Sequence, residues 1–276
     1  PDLIRMLDNV ITHFCDTAPP ELEKAVNSAK SERSLGLGAM GFHAYLQRHN
    51  VPFESAMAKG RNIKMFKHIK GEALNATRQL AKERGSCPDG SSAGVRNAHL
   101  LAVAPNASSS IICGNTSPSI EPYRANAFTQ KTKSGSSLLK NEYLEHALQE
   151  LGQDTDDVWK SIITNGGSVQ HLDFLDEWTK EIFKTAVEID QRWVIEMAAD
   201  RQEDICQSQS LNIFFPSNVS KQELHAIHMM AWKKKVKTLY YLRSEAMKRA
   251  ENVSDEVLRQ YIFDSMDEEG CLACEG

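Results

Sequence analysis

No apolar run in the 276-residue sequence approaches the ~20 residues needed to span a bilayer, so no transmembrane helix is expected. Pro1 to Thr12 lacks a basic region followed by an apolar stretch, and no secretory signal is expected there. Long basic stretches are missing as well. The formal charge is −5, and the cluster Lys233-Lys234-Lys235 is short enough to lie on a solvated helix end. That excludes a nucleic-acid-binding surface. Cysteine is sparse: Cys15, Cys87, Cys113 and Cys206 are scattered, and only Cys271 and Cys274 are close together. This is not a secreted disulfide framework, and a cytoplasmic, reducing compartment fits best. No Gly-x-x-x-x-Gly-Lys loop is present, which rules out ordinary P-loop phosphate binding. There is no internal repeat and no low-complexity block. What remains, 41% hydrophobic and 25% charged residues, is the composition of a soluble globular protein with room for a sizeable core.

Apolar residues at Leu3, Met6, Leu7, Val10, Ile11 and Phe14 give helical spacing over Asp2 to Phe14. A second helix is expected over Ser34 to Gln47, where Gly36, Gly38, Ala39 and Gly41 would let another backbone approach closely. Glu54 to Arg84 reads as a long helix with Ile63, Phe66, Ala73, Leu74, Thr77 and Ala81 on one side, stopped by Gly85. Further helices are expected over Asn141 to Leu151 and Leu172 to Ala199. Ser220 and Glu223 form a capping-box pattern that opens another, through Trp232. Strands are expected over Ala98 to Ala104, Ser210 to Phe215 and Val236 to Tyr241. The alternation argues for an α/β fold with a parallel sheet. About three strands are too few for a closed barrel, so the chain reads as part of a larger sheet. Residues 1–248 are expected to form one domain, and 249–276 a polar, acidic tail.

Three constellations carry possible chemistry. The first is the strand-to-helix junction Ala104-Pro-Asn-Ala-Ser-Ser-Ser110, whose free N–H groups and hydroxyls suit a phosphate. Its plainer reading is N-capping by Asn106 or a serine, and local chemistry favours that. The second is Tyr240-Tyr241. Such a pair is most often two β-favouring aromatics, but adjacent phenols can also pass a radical hole. On a regular strand consecutive residues face opposite ways, so a stacked pair would need an irregular strand end. The third is Cys271-x-x-Cys274. The acidic neighbours Asp267, Glu268, Glu269 and Glu275 disfavour a thiolate of thioredoxin type. No second ligand pair can be placed near it for zinc, since His225 and His228 lie on a helix elsewhere. A dithiol on a flexible string, exchanging with a disulfide elsewhere, is left. Cys15, Cys87, Cys113 and Cys206 read as small buried hydrophobes. Glu121-Pro122 has no partner carboxylate that the sequence can place.

In this order the motifs resemble the large subunit of class I ribonucleotide reductase. The matching stretches are Arg33-Ser-Leu-Gly-Leu-Gly-Ala-Met-Gly-Phe42, Arg96-Asn-Ala-His99, Ala104-Pro-Asn-Ala-Ser-Ser-Ser-Ile111, Ser119-Ile-Glu-Pro-Tyr123, Gln207-Ser-Gln-Ser-Leu-Asn212 and Lys237-Thr-Leu-Tyr-Tyr-Leu-Arg243. The terminal cysteine pair completes the pattern. The resemblance implies the C-terminal portion of a ten-stranded α/β barrel, incomplete in this chain. It implies that Pro105, Asn106, Ala107, Ser108 and Ser109 hold the substrate diphosphate, partly through backbone N–H groups. Tyr240 and Tyr241 would end a radical path from a small subunit, and Cys271 and Cys274 would re-reduce an active-site disulfide. Thioredoxin or glutaredoxin would then reduce that tail.

The family's thiyl-radical cysteine, flanked by an asparagine and a glutamate, has no counterpart here, since no Asn-x-Cys-x-Glu occurs. The barrel cysteines of the substrate-reducing disulfide and the nucleotide-effector regions belong to the family's N-terminal part. The expectation is therefore a split-gene product, an excised fragment or one part of a longer chain, the first of these preferred, and inactive alone. It assembles with a separate N-terminal part and a small subunit whose metal-radical cofactor starts the chemistry on ribonucleoside diphosphates. No metal or other cofactor is expected on this chain itself. The rival expectation is a non-catalytic fragment that binds and modulates a reductase complex.

Overall fold

A computed structural model of the chain describes residues 1–132 and 135–244. Cys271, Cys274 and the expected boundary at residue 248 lie outside the described residues. The elements, in order, are α1 (Asp2–Thr17), α2 (Glu23–Glu32), α3 (Phe42–Arg48), α4 (Ala56–Arg84), α5 (Ala107–Ile112), β1 (Ala127–Thr132), β2 (Gly135–Lys140), α6 (Glu142–Glu150), α7 (Asp156–Thr164), α8 (Glu177–Ile182), α9 (Gln191–Gln202), β3 (Ile213–Phe215), α10 (Lys221–Lys233) and β4 (Leu242–Ser244).

The organising feature is a ribbon of four extended segments, all parallel. Leu35 and Leu37 donate their N–H groups to the carbonyls of His99 and Leu100. Leu37 bridges Leu101, and Val103 bridges Gln209. The chain from Gln209 runs on into β3, which pairs with β4, Ile213 opposite Leu242. Spatial order therefore equals chain order, with helices in every connection, and that is the pattern parallel strands require. Leu211, Asn212, Ile213, Phe214 and Phe215 are consecutive and all buried, as expected for a strand covered on both faces. Among the described residues the ribbon does not close on itself. No helix among them is long and apolar enough to cross a membrane.

The main core lies between this ribbon and α3, α4, α9 and α10, around Phe42, Leu46, Phe66, Leu80 and Ile195. Helix α4 starts where the Ser55 hydroxyl accepts the Ala58 N–H and ends at Gly85, whose φ of +85° favours glycine. Its buried stripe is Ala58, Asn62, Phe66, Ala73, Ala76, Thr77 and Leu80, slightly rotated from the expected face, and Ile63 is exposed. The rotation follows from a buried polar contact. Asn62 donates to the Met197 carbonyl and accepts from Arg201, both at 2.9 Å. Arg201 also donates to Gln209 and lies between the rings of Phe42 and Phe66. Burial pushes its guanidinium down to about 9. A second core, around Leu144, Leu148, Trp159 and Ile162, joins α6, α7 and α8 to the β1–β2 hairpin as a side lobe.

Asp8 fastens α1 to everything else. Its carboxylate, fully buried, accepts from Arg33 at 2.8 Å, Arg84 at 2.9 Å and Asn97 at 3.1 Å, and Arg96 lies 3.4 Å away. Burial alone would raise this carboxyl, but the hydrogen bonds from Arg33, Asn97 and Arg84 hold it below the usual range.

Several expectations need correction. Of Ser34 to Gln47 only α3 is helical, because Leu35 to Leu37 joins the ribbon. The small residues do admit a neighbouring backbone, though as a strand: a Cβ on Gly38 would sit 2.5 Å from the Ala102 carbonyl oxygen. The helix expected over Leu172 to Ala199 is two, α8 and α9, opened by the side chains of Asp176 and Asp190. Between them the Ala186 N–H is taken by the Tyr123 carbonyl at 2.7 Å, and Thr185 is turned onto Glu188. Val236 to Tyr241 is not a strand, since the ladder begins at Leu242. Only Cys87 of the four described cysteines is buried. Cys113 and Cys206 are exposed and Cys15 is intermediate.

Candidate functional site

The strand through Val103 ends at Pro105, and the chain turns at Asn106, whose φ is +55°, into α5. No side chain caps this helix, neither Asn106 nor a serine, which corrects the N-capping expectation. Ala107, Ser108 and Ser109 are exposed at the turn. Its opening N–H groups and hydroxyls are thus available for an anion.

Tyr240 and Tyr241 sit immediately before β4. The Tyr240 N–H donates to Leu211 and the Ile213 N–H to Tyr241, but the Tyr241 N–H goes to the Asn212 side chain at 2.9 Å. That side-chain bond breaks the regular ladder. It lets two consecutive tyrosines share a side, with ring centroids 4.2 Å apart at 50°. Tyr240 is 44% exposed and Tyr241 is half-buried. The segment is clipped in place by Lys237, whose ammonium donates to the carbonyls of Ile205, Cys206 and Gln207 at 2.9 to 3.0 Å.

Register relates the two features. Val103 is level with Gln209, and Tyr240 pairs with Leu211, two residues further on. The serine-rich turn also begins two residues beyond Val103. The turn and the tyrosines therefore lie at the same end of the ribbon with one strand between them, two strand spacings or roughly 10 Å apart.

A residue that the sequence left without a role, Glu121, is buried at this same end. Its turn is pinned from several sides. Gly41 and Ala44 donate to the Ser117 carbonyl and hydroxyl, Phe42 donates to Ser119, and Glu121 donates to Pro118. The Tyr123 N–H donates to His43 Nδ1 at 3.0 Å, which leaves the proton of a neutral imidazole on Nε2. Burial pushes His43 down to about 3. Burial pushes Glu121 up to about 7, against the pull of Arg124 and Arg243. Nothing local in Glu121-Pro122 signals this burial.

These two groups oppose each other in the pH dependence of stability. His43 is depressed from its ordinary 6.5, so its contribution is full above 6.5 and is lost as pH falls towards 3. Glu121 is raised from 4.5, so its contribution is full below 4.5 and is lost as pH rises through 7. Between pH 4.5 and 6.5 the two slopes nearly cancel, with a smaller term of the His43 sign from His171. Glu121→Gln should therefore uncover a slope of about 1.4 kcal/mol per pH unit in that window. Urea unfolding across the window measures it, and a flat profile in the variant would show that His43 titrates near its ordinary value.

No group of three or more His, Cys, Asp or Glu side chains that could hold a metal occurs among the described residues.

The family model "Ribonucleotide reductase, barrel domain" matches residues 2–91 and 88–242. The ribonucleoside-diphosphate reductase large subunit of Invertebrate iridescent virus 6 is 50% identical over 92% of this chain and 27% of that protein. The putative large subunit of Frog virus 3 (isolate Goorha) is 47% identical over 99% of this chain and 48% of its own length. Among solved structures, the Actinobacillus ureae class Id ribonucleotide reductase alpha subunit superposes with a TM-score of 0.81 at 39% identity, covering 88% of this chain and 45% of that one. The chain thus spans about half or less of the length of these relatives. Because the match runs through both the parallel ribbon and the helices that connect it, the chain belongs to the ribonucleotide reductase barrel-domain family and forms part of such a barrel.

Proposed function

We propose that the chain is the C-terminal part of the large subunit of a ribonucleoside-diphosphate reductase and reduces ribonucleoside diphosphates by radical chemistry once the rest of that subunit and a radical-generating small subunit are present. One observation carries the reading: two phenol rings in contact, 4.2 Å between centroids, at the ribbon end that also holds an uncapped, serine-rich turn. A phenol loses a proton together with its electron, so Tyr240 and Tyr241 can hand an oxidising equivalent over a short hop. Pro105, Asn106, Ala107, Ser108 and Ser109 hold the diphosphate through backbone N–H groups and hydroxyls. The metal-radical group of the small subunit supplies the oxidising equivalent, and nucleotide effectors bind the N-terminal part.

The tail dithiol restores the reduced state. The thiolate of one tail cysteine attacks the active-site disulfide, forming a mixed disulfide and releasing one thiol. The other tail cysteine resolves it, and thioredoxin or glutaredoxin reduces the resulting Cys271–Cys274 disulfide. The test combines the chain with the N-terminal part, the small subunit and a ribonucleoside diphosphate, and follows deoxyribonucleoside diphosphate. Product is expected, and Cys271→Ser should allow a single turnover per site but no thioredoxin-driven cycling. An assembled complex without product, or a chain that only alters the rate of an intact reductase, would replace this reading with that of a modulator.

A further inference from the structure

Glu121 is only 3% exposed, and its Oε1 has no hydrogen-bond partner. A carboxyl left in that state is costly, so the surroundings need a reason to keep it. The charged groups that face it are Arg124, on its own loop, and Arg243, on β4. Asn212, just ahead of β3, hydrogen-bonds it as well. Two of these three also hold the second tyrosine. The Asn212 Oδ1 accepts the Tyr241 N–H at 2.9 Å, and the Arg243 guanidinium lies 4.9 Å from the Tyr241 ring centroid. The Arg243 Nε is itself buried without a hydrogen-bond partner. A loop and two adjacent strands therefore converge on one aromatic ring, and Glu121 is where they meet.

We infer that Glu121 is a positioning residue for the tyrosine pair, acting through Asn212 and Arg243 to set where the Tyr241 ring lies against Tyr240. This rests on the radical reading above and deepens it. Its connection to the ring runs through Asn212 and Arg243, so its effect is on placement. Its carboxyl, pushed up to about 7 by burial against the opposing charges of Arg124 and Arg243, changes charge near neutral pH, and the placement of Tyr241 changes with it.

The test uses the full chain assembled with the rest of the large subunit and the small subunit, with 4-fluorophenylalanine, a ring with no proton to titrate, at position 241 for the resonance and Tyr241 kept for turnover. In the parent protein the fluorine resonance should move with pH through about 7. In Glu121→Gln it should be displaced and insensitive to pH. The same variant should lose about 10- to 100-fold in kcat with KM for the nucleotide unchanged, the pattern of a misplaced reacting group, not of weakened binding. Glu121→Asp should recover part of the pH response. If Glu121→Gln does not fold, Arg243→Met serves instead and should diminish the pH-dependent movement. A resonance in Glu121→Gln that superimposes on the parent's at every pH, or an undiminished movement in Arg243→Met, overturns the inference. Tyr241→Phe separates the two claims: normal turnover in that variant defeats the radical reading, whereas the fluorine resonance decides whether Glu121 holds the ring.

Discussion

Tyr240→Phe and Tyr241→Phe are each expected to reduce deoxyribonucleotide formation to background in the assembled reductase, with assembly and stability unchanged. The substitution removes the hydroxyl and keeps the ring, so the 4.2 Å contact survives and only the phenol oxygen with its ionisable proton is lost. Tyr240 is 44% exposed and Tyr241 is half-buried. The cost to folding should therefore stay within about 0.5 kcal/mol, the usual range for surface changes. Product assays on the variants, together with urea midpoints, separate chemistry from folding. Substantial turnover in either variant would take that tyrosine off the path. An equal loss of activity and stability would point instead to a structural role for the pair.

Asp8→Ala is the substitution expected to cost most in stability, about 3–5 kcal/mol, because it removes one side of a buried charge cluster and leaves the other in place. Arg33 is 6% exposed. Besides its 2.8 Å bond to the carboxylate, it donates to the Asp8 carbonyl and the Thr12 hydroxyl, so it has no route to solvent without moving α1. Arg84, at the end of α4, and Asn97, at the start of the second ribbon segment, lose the same anchor. Asp8→Asn should cost less, since an amide oxygen can still accept from the guanidinium groups. Chemical denaturation of both variants measures the difference. A loss of under about 1 kcal/mol for Asp8→Ala would place the cluster among ordinary surface ion pairs.

Much of the frame could be read from residue order, and the misreadings have local causes. Helix α4 was legible because its apolar period and its terminal glycine agree, although the Ser55 cap was not read. The serine-rich turn was legible as a junction, yet the absence of a cap on it depends on the backbone angle of Asn106, which composition does not reveal. The segment around Gly36 and Gly38 misleads because small residues suit close packing of either helix or strand, and only the arrival of Leu100 and Ala102 decides. The long helix expected through Leu172 fails because its apolar spacing hides two aspartate caps. For the tyrosines, the tension between a shared face and a regular strand was visible beforehand. Its resolution by Asn212 was not, because that contact spans 29 positions. Glu121 was the least legible. Burial raises its proton affinity against the pull of its neighbours, and two of those neighbours, Asn212 and Arg243, lie some 90 and 120 positions downstream.

The ribbon's strands neighbour one another in the order in which they are made. On a ribosome, each segment emerges to find its template already waiting, and docking can advance from one margin in a single direction. The last segment to arrive is the one that bears the two phenols. The tyrosine pair is thus added to the scaffold only after the serine-rich turn and the strand between have docked, so a nascent chain stopped short of Tyr240 would carry the turn without the rings.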